Sequence, residues 1–85
     1  MLINTLAAKF VESSSTLIAY GGKGSDLADM IVMCAHDHQK EHEVTSGKKC
    51  KPDEVTKIDG RYVTRIYFPD DSILCVTDEG ECWEE

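Results

Sequence analysis

The sequence predicts an α+β fold, with two N-terminal helices packed on a three- to four-stranded antiparallel β-meander. Apolar residues recur at helical spacing in the first half of the chain, and the period changes to two from residue 54. Turn-forming segments then recur about every ten residues. These observations divide a single domain, 1–85, into a helical part at about 1–43, a loop at 44–53 and a β-meander at 54–85.

The first predicted helix covers residues 2–12. The serine run at 13–15 is expected to end it, and "TLIAY" at 16–20 fits either a helical extension or a short strand. The face that this helix would bury is formed by apolar residues at helical spacing, namely Leu2, Ile3, Leu6, Ala7, Phe10 and Val11.

The second predicted helix runs from about Asp26 to Glu41, after the loop "GGKGSD" and with Ser25 or Asp26 as its N-cap. Its first half, "LADMIVMCA", is apolar nearly all round, which predicts a central core element. Its second half, "HDHQKEH", is polar and is expected to project into water.

The remaining segments predict strands joined by tight turns. Asp59-Gly60 is the dipeptide that two-residue type I′ hairpins favour, so "EVTKI" and "RYVTRIYF" are expected to pair. The segments "PDDS" and "DEG" predict two further turns. "ILCVT" is then the third strand, and "ECWEE" provides a short last one.

The net charge of −7 and the pI near 4.8 describe an acidic chain. Such a field repels nucleic acid and anionic membranes, so we expect neither direct nucleic-acid binding nor membrane binding. The N-terminus lacks the basic segment of a signal peptide, which predicts a cytoplasmic protein. In that reducing compartment the four cysteines are expected to be free thiols, although the pairing of Cys75 with Cys82 stays open.

"CAHDHQKEH" raises the question of a metal site. On a helix, Cys34, His38 and His42 share one face, and Cys50 in the following loop would supply a fourth zinc ligand. The cysteines lack the close pairing of familiar zinc motifs. The favoured interpretation is therefore a helix end, with no metal and no cofactor, and the small zinc protein is kept as an alternative.

No complete catalytic motif stands in the sequence. "GGKGS" at 21–25 lacks the earlier glycine of a P-loop. Cys34 and His38 have the residue types of a nucleophile and its base, but they lie on one apolar helical stripe without an orienting third group. We expect no catalytic residues and no enzyme. An oligomer that binds a small ligand between subunits stays open, as does homodimerisation.

Charge is distributed unevenly along the chain. Residues 61–85 carry two arginines against seven carboxylates, a net charge of −5. A tryptophan among carboxylates is a common arrangement at protein interfaces. Acidic turns also keep a sheet edge soluble, which is the simpler explanation. The predicted partner-binding residues are Asp70, Asp71, Asp78, Glu79, Glu81, Trp83, Glu84 and Glu85.

In general profile, a compact acidic chain without a catalytic motif resembles small phage-encoded inhibitors such as anti-CRISPR proteins and nuclease inhibitors. The resemblance is one of size and charge and includes no shared motif. Several such inhibitors imitate the charge of nucleic acid. The resemblance therefore implies a non-enzymatic inhibitor or adaptor that occupies a basic surface of another protein, including that of a nucleic-acid-binding protein.

Overall fold

The secondary structure consists of two helices followed by four strands. The computed structural model describes the backbone of residues 5–19 and 24–85. Within these ranges it describes every side chain except those of residues 15–19 and 25. Neighbouring strands are all antiparallel and follow chain order, so the α+β class and the meander are confirmed, with four strands. The elements are α1 (Leu6–Ala19), α2 (Gly24–Ser46), β1 (Glu54–Ile58), β2 (Arg61–Tyr67), β3 (Ile73–Thr77) and β4 (Cys82–Glu84).

Helix α1 continues through the serine run, so the prediction that these serines end it is wrong. The hydroxyls of Ser13 and Ser14 donate to the carbonyl oxygens of Phe10 and Val11, at 2.9 and 2.7 Å. Serine is tolerated inside a helix when its hydroxyl bonds back to the preceding turn in this way. Of "TLIAY", residues 16–19 therefore extend the helix. The predicted start at residue 2, Tyr20 and the first three residues of the predicted loop, 21–23, lie outside the described residues.

Helix α2 is longer than predicted at both ends. It begins at Gly24 rather than Asp26 and ends at Ser46 rather than Glu41. Gly47 has a φ of +74°, and its N–H donates to the Glu43 carbonyl at 2.9 Å. This is the left-handed glycine cap that commonly ends a helix, so the connecting loop begins at residue 47 rather than at 44.

The N-terminus of α1 is capped by the turn between β2 and β3. Thr5 Oγ1 accepts the Ala8 N–H at 3.1 Å, as an N-cap residue does. The two N–H groups that precede that of Ala8 find acceptors in the turn between β2 and β3. Asp70 Oδ2 accepts the Leu6 N–H at 2.8 Å, and Ser72 Oγ accepts the Ala7 N–H at 3.0 Å. The helix and the sheet are therefore joined by backbone hydrogen bonds as well as by apolar packing.

These contacts change the acidity of Asp70. Partial desolvation by itself raises the pKa of this carboxyl, but hydrogen bonds from Ser72 and from the Leu6 N–H outweigh it. The pKa of Asp70 therefore lies below its ordinary value. The carboxylate also faces the positive end of the α1 dipole, where a negative charge is favourable.

Both helices pack on one face of the sheet around one hydrophobic core. Buried residues of α1, α2, β2 and β3 and of the turn after β2 form it, and Val11, Val32, Cys34 and Cys82 pack against its edge. The alternation of β2 therefore points its even-numbered residues toward the helices, as the sequence pattern predicts. The core consists of Ala7, Phe10, Leu27, Ile31, Ala35, Ile66, Phe68, Leu74 and Val76.

Two glycines allow tight turns for different reasons. Asp59 and Gly60 both have positive φ angles, 51° and 81°, which is the conformation of a type I′ turn, and nothing lies near a Cβ built on Gly60. Gly80 has a φ of +91°, and a Cβ there would lie 2.6 Å from Leu27 Cγ. The β3–β4 turn therefore approaches α2 too closely for any side chain.

We expect Gly60→Ala to cost about 1 kcal/mol of folding free energy, the strain of a left-handed alanine. Gly80→Ala should cost about 1–3 kcal/mol more, because the new methyl also displaces Leu27. Chemical denaturation of the two variants measures both values. Equal losses would show that the approach of the turn to α2 is looser than described.

Asp70→Asn should lower the free energy of unfolding by about 1 kcal/mol at pH 7, because it removes a charged cap of α1. Asp71→Asn is the matched control, because it removes one negative charge at the neighbouring residue. Asp71 has a φ of +68°, which asparagine tolerates.

The effect of Asp70→Asn should depend on pH. A carboxyl with a lowered folded-state pKa stabilises the protein fully above its unfolded pKa of about 4, and this contribution is lost as pH falls through the folded pKa. Denaturation curves of wild type and Asp70→Asn should therefore converge below about pH 4. A constant difference down to pH 2 would contradict the role of the Asp70 charge.

Candidate functional site

The sheet face opposite the helices, here called the outer face, has no helix packed on it among the described residues. Strand partners share a face, so the register assigns its members. Val63 and Cys75 are each 1% exposed although they point away from the core. Longer neighbours must therefore cover them. The outer face comprises Glu54, Thr56, Ile58, Arg61, Val63, Arg65, Tyr67, Ile73, Cys75, Thr77 and Trp83.

Trp83 is the largest side chain on the outer face. It stands opposite Cys75 in the β3–β4 pair and is 37% exposed. Ile58, at the end of β1, is 43% exposed. These two residues and Val63 line a shallow pocket of about 180 Å³. The sheet therefore presents a partly open apolar patch on the side where helices do not cover it.

Arg65 connects the outer face from one edge to the other. Its guanidinium donates two hydrogen bonds to Glu85, both at 2.7 Å, and a third to Glu54 at 3.2 Å. The Tyr67 hydroxyl donates to the other Glu54 oxygen at 2.9 Å. The bidentate contact fixes the C-terminal residue across β3.

A second set of ion pairs borders the pocket at the turn end of the sheet. Arg61 contacts Glu79 at 3.1 Å and Glu81 at 3.5 Å. Arg61 and Glu81 also line the pocket beside Trp83. All three side chains are well exposed, so these pairs contribute little to stability and stay available to another charged partner.

The ion pairs shift the acidities of the outer face. The hydrogen bonds from Arg65 lower the pKa of Glu85, and the same contact raises the pKa of Arg65. The hydrogen bond to Glu54 raises the pKa of Tyr67. Burial and the nearby Glu85 raise the pKa of Cys75 to about 11. A thiol of that pKa is a poor nucleophile at neutral pH, so the outer face offers charge and apolar area rather than an activated group.

The eight predicted partner-binding residues do not form one surface. Trp83 lies on the outer face, and its arginines contact Glu79, Glu81 and Glu85. The others lie elsewhere. Asp70 caps α1, and Glu84 accepts a hydrogen bond from the Thr5 hydroxyl at the same end of the sheet. Asp71 is exposed in that turn, and Asp78 lies beside α2 on the helix side.

Sequence reasoning missed three residues of the outer face. Arg61, Arg65 and Ile58 share that face with Trp83. The charge count of residues 61–85 considered only how few the arginines are, and not where they lie. The signal was available in part, since the Asp59-Gly60 turn places Ile58 opposite Arg61. The pairing of Arg65 with Glu85 depends on the C-terminal residue reaching across β3, which spacing does not show.

The proposed zinc ligands are not brought together. Among the described residues, no three His, Cys, Asp or Glu side chains are grouped as a metal site. His38 packs edge-on against Phe10 with ring centres 5.5 Å apart, and His42 stacks on His38 at 5.9 Å. Burial and the nearby Glu43 raise the pKa of the Cys50 thiol to about 11, which disfavours the thiolate that zinc requires.

The other cysteines lie in separate surroundings. Cys75 is on the outer face, whereas Cys82 faces the helices and contacts the Ser14 hydroxyl at 3.4 Å. Side chains on opposite faces of a sheet cannot be bridged without backbone movement. All four cysteines are free thiols in the structure.

Comparisons with known proteins give no match to a family model, a curated protein or a solved structure. In the part of the chain that the structure describes, no helix is long and apolar enough to cross a membrane. The geometry of the outer face and its charges are therefore the observations from which a function is argued.

Proposed function

We propose that this protein is a non-enzymatic protein-binding module, an inhibitor or adaptor, and that its outer face contacts a basic surface of a partner. One observation carries the proposal: an exposed tryptophan and isoleucine flank a shallow pocket on the sheet face opposite the described helices, within a rim of carboxylates and arginines. Interfaces typically combine an aromatic centre with such a polar rim.

The charge of the rim favours a basic partner. Four carboxylates face two guanidinium groups on the outer face, and the chain as a whole has a net charge of −7. Lysines and arginines of a partner would compete with Arg61 for the exposed Glu79 and Glu81. Such rim contacts accelerate association and weaken with salt, because exposed charges are screened.

Binding at this face requires no catalytic group. The outer face carries no histidine, and its one cysteine has a raised pKa. Trp83 and Ile58 would supply the apolar contact, while Arg65 holds the β4 edge through Glu85. The pocket would therefore supply the apolar part of the affinity, and the charged rim would set the association rate.

The test is affinity capture from a lysate of the source cell, comparing wild type with Glu79→Lys/Glu81→Lys. The double variant should retain at least tenfold less of any partner, since two rim charges of about 1 kcal/mol each are reversed. Ile58→Thr, which keeps a β-branched residue, should also weaken capture by removing apolar contact at the pocket. Captured partners should carry basic surfaces and elute as salt rises.

Asp37→Lys/Glu41→Lys is the matched control, because it makes the same charge change at exposed positions of α2. It should alter capture less than twofold. Equal losses in both double variants would show that only net charge matters. Unchanged capture by the outer-face variants would place the binding surface elsewhere.

A further inference from the structure

The helix side of the sheet is incompletely covered near β1. Val55 of β1 is 68% exposed, and Tyr62 of β2 is 59% exposed, although both belong to the face on which the helices pack. Between α2, β2 and the end of β3 lies a groove of about 230 Å³, here called the β2–α2 groove. Its walls include Ala28, Asp29 and Val32 from α2 and Tyr62 and Thr64 from β2.

Close contacts between α2 and the sheet lie on both sides of the groove. Farther along α2, the Gln39 amide donates to the Tyr67 carbonyl at 2.7 Å, and His36 contacts the Asp53 carboxylate just before β1. These contacts hold the second half of α2 against the sheet. At the other end α2 lies close to the β3–β4 turn, where Leu27 meets Gly80, and the strands beside it stay open.

The mouth of the groove carries two acids. Asp29 and Asp78 both line the groove and are exposed, and neither forms an ion pair with another described residue. Lys57 also lies on this side of the sheet, with its ammonium 5.6 Å from the centre of the Tyr62 ring. The groove thus combines an apolar floor at Val32 with a negatively charged mouth.

We propose that the β2–α2 groove binds the end of a basic amphipathic helix from a partner protein. An apolar side chain of that helix would fill the space between Val32 and Tyr62, and a lysine or arginine one turn away would meet Asp29 and Asp78. Residues one helical turn apart lie on the same face, which matches an apolar floor beside an acidic mouth. This site is separate from the outer face and does not depend on the function proposed for it.

Charge argues against a second copy of this chain as the occupant. A symmetric pair would bring the same carboxylates together, and each chain has a net charge of −7. Like charges placed opposite each other across an interface are costly. A basic helix instead neutralises two acids, Asp29 and Asp78, that form no ion pair with another residue in the part of the chain that the structure describes.

The probe is a synthetic amphipathic peptide of about 18 residues, or five helical turns, with leucines on one face and lysines on the other. A second peptide carries glutamates in place of the lysines. Amide NMR shifts of the isotope-labelled protein report where each peptide binds. The lysine peptide should shift Val32, Tyr62 and Thr64, and the glutamate peptide should not bind.

Asp29→Asn/Asp78→Asn should weaken binding of the lysine peptide about tenfold, as expected for two exposed ion pairs. Asp37→Asn/Asp71→Asn is the matched control: it removes two exposed charges that do not line the groove, and it should change affinity less than twofold. Tyr62→Thr should weaken binding through the apolar floor while keeping every charge.

Several results would overturn the proposal. These are shifts centred on Trp83, equal effects of the two double variants, comparable binding of the glutamate peptide, or no binding at all. Shifts confined to β1 amides would indicate strand addition at the sheet edge instead. Groove shifts that grow with protein concentration in the absence of peptide would assign the groove to a second copy.

Discussion

The fold depends on how the N-terminus of α1 meets the turn between β2 and β3. A helix begins with N–H groups that no residue of its own can accept, and burying them unpaired is costly. Here Asp70 and Ser72 accept two of these groups and Thr5 accepts a third. Because Asp70 and Ser72 belong to the turn between β2 and β3, the helix can begin only where that turn lies. The same contact places Ala7 and Phe10 over the core.

The acidic residues in the second half of the chain serve several purposes. A charge count treats Asp70, Glu81 and Glu85 as equivalent, whereas the structure uses one as a helix cap and the others as ion-pair partners of arginines. Hydrogen bonds lower the pKa of both Asp70 and Glu85. Negative charge is therefore part of what holds the start of α1 and Glu85 to the sheet.

Sequence patterns predicted the meander well because its determinants are local. The Asp59-Gly60 turn fixes the β1–β2 register, and alternation then assigns each residue to a face. Helix ends were predicted less well. Hydroxyl bonds inside α1 let it continue past Ser14, and the cap that ends α2 is Gly47, beyond the polar run.

The outer face was harder to predict because it depends on contacts between distant segments. Cys75 reads as a core residue from its apolar neighbours and is indeed buried, yet it lies beneath Glu85 on the face away from the helices. Trp83 was identified from composition, but its pocket requires Ile58 from the opposite edge of the sheet. Periodicity assigns residues to faces, and it does not show which distant residues meet there.

The two proposed surfaces lie on opposite sides of the same strands, and this arrangement follows from the sheet's incomplete cover. Val55 and Ile58, on opposite faces of β1, are both exposed, and β1 is an edge strand with β4 at the opposite edge of the sheet. An edge strand with apolar side chains on both faces tends to pair with other chains and aggregate unless it is protected or covered by a partner. Lys57 offers some protection by placing a charge in the strand. The remaining apolar area stays open, and its position between two acidic borders is the feature that a basic partner would recognise on either face.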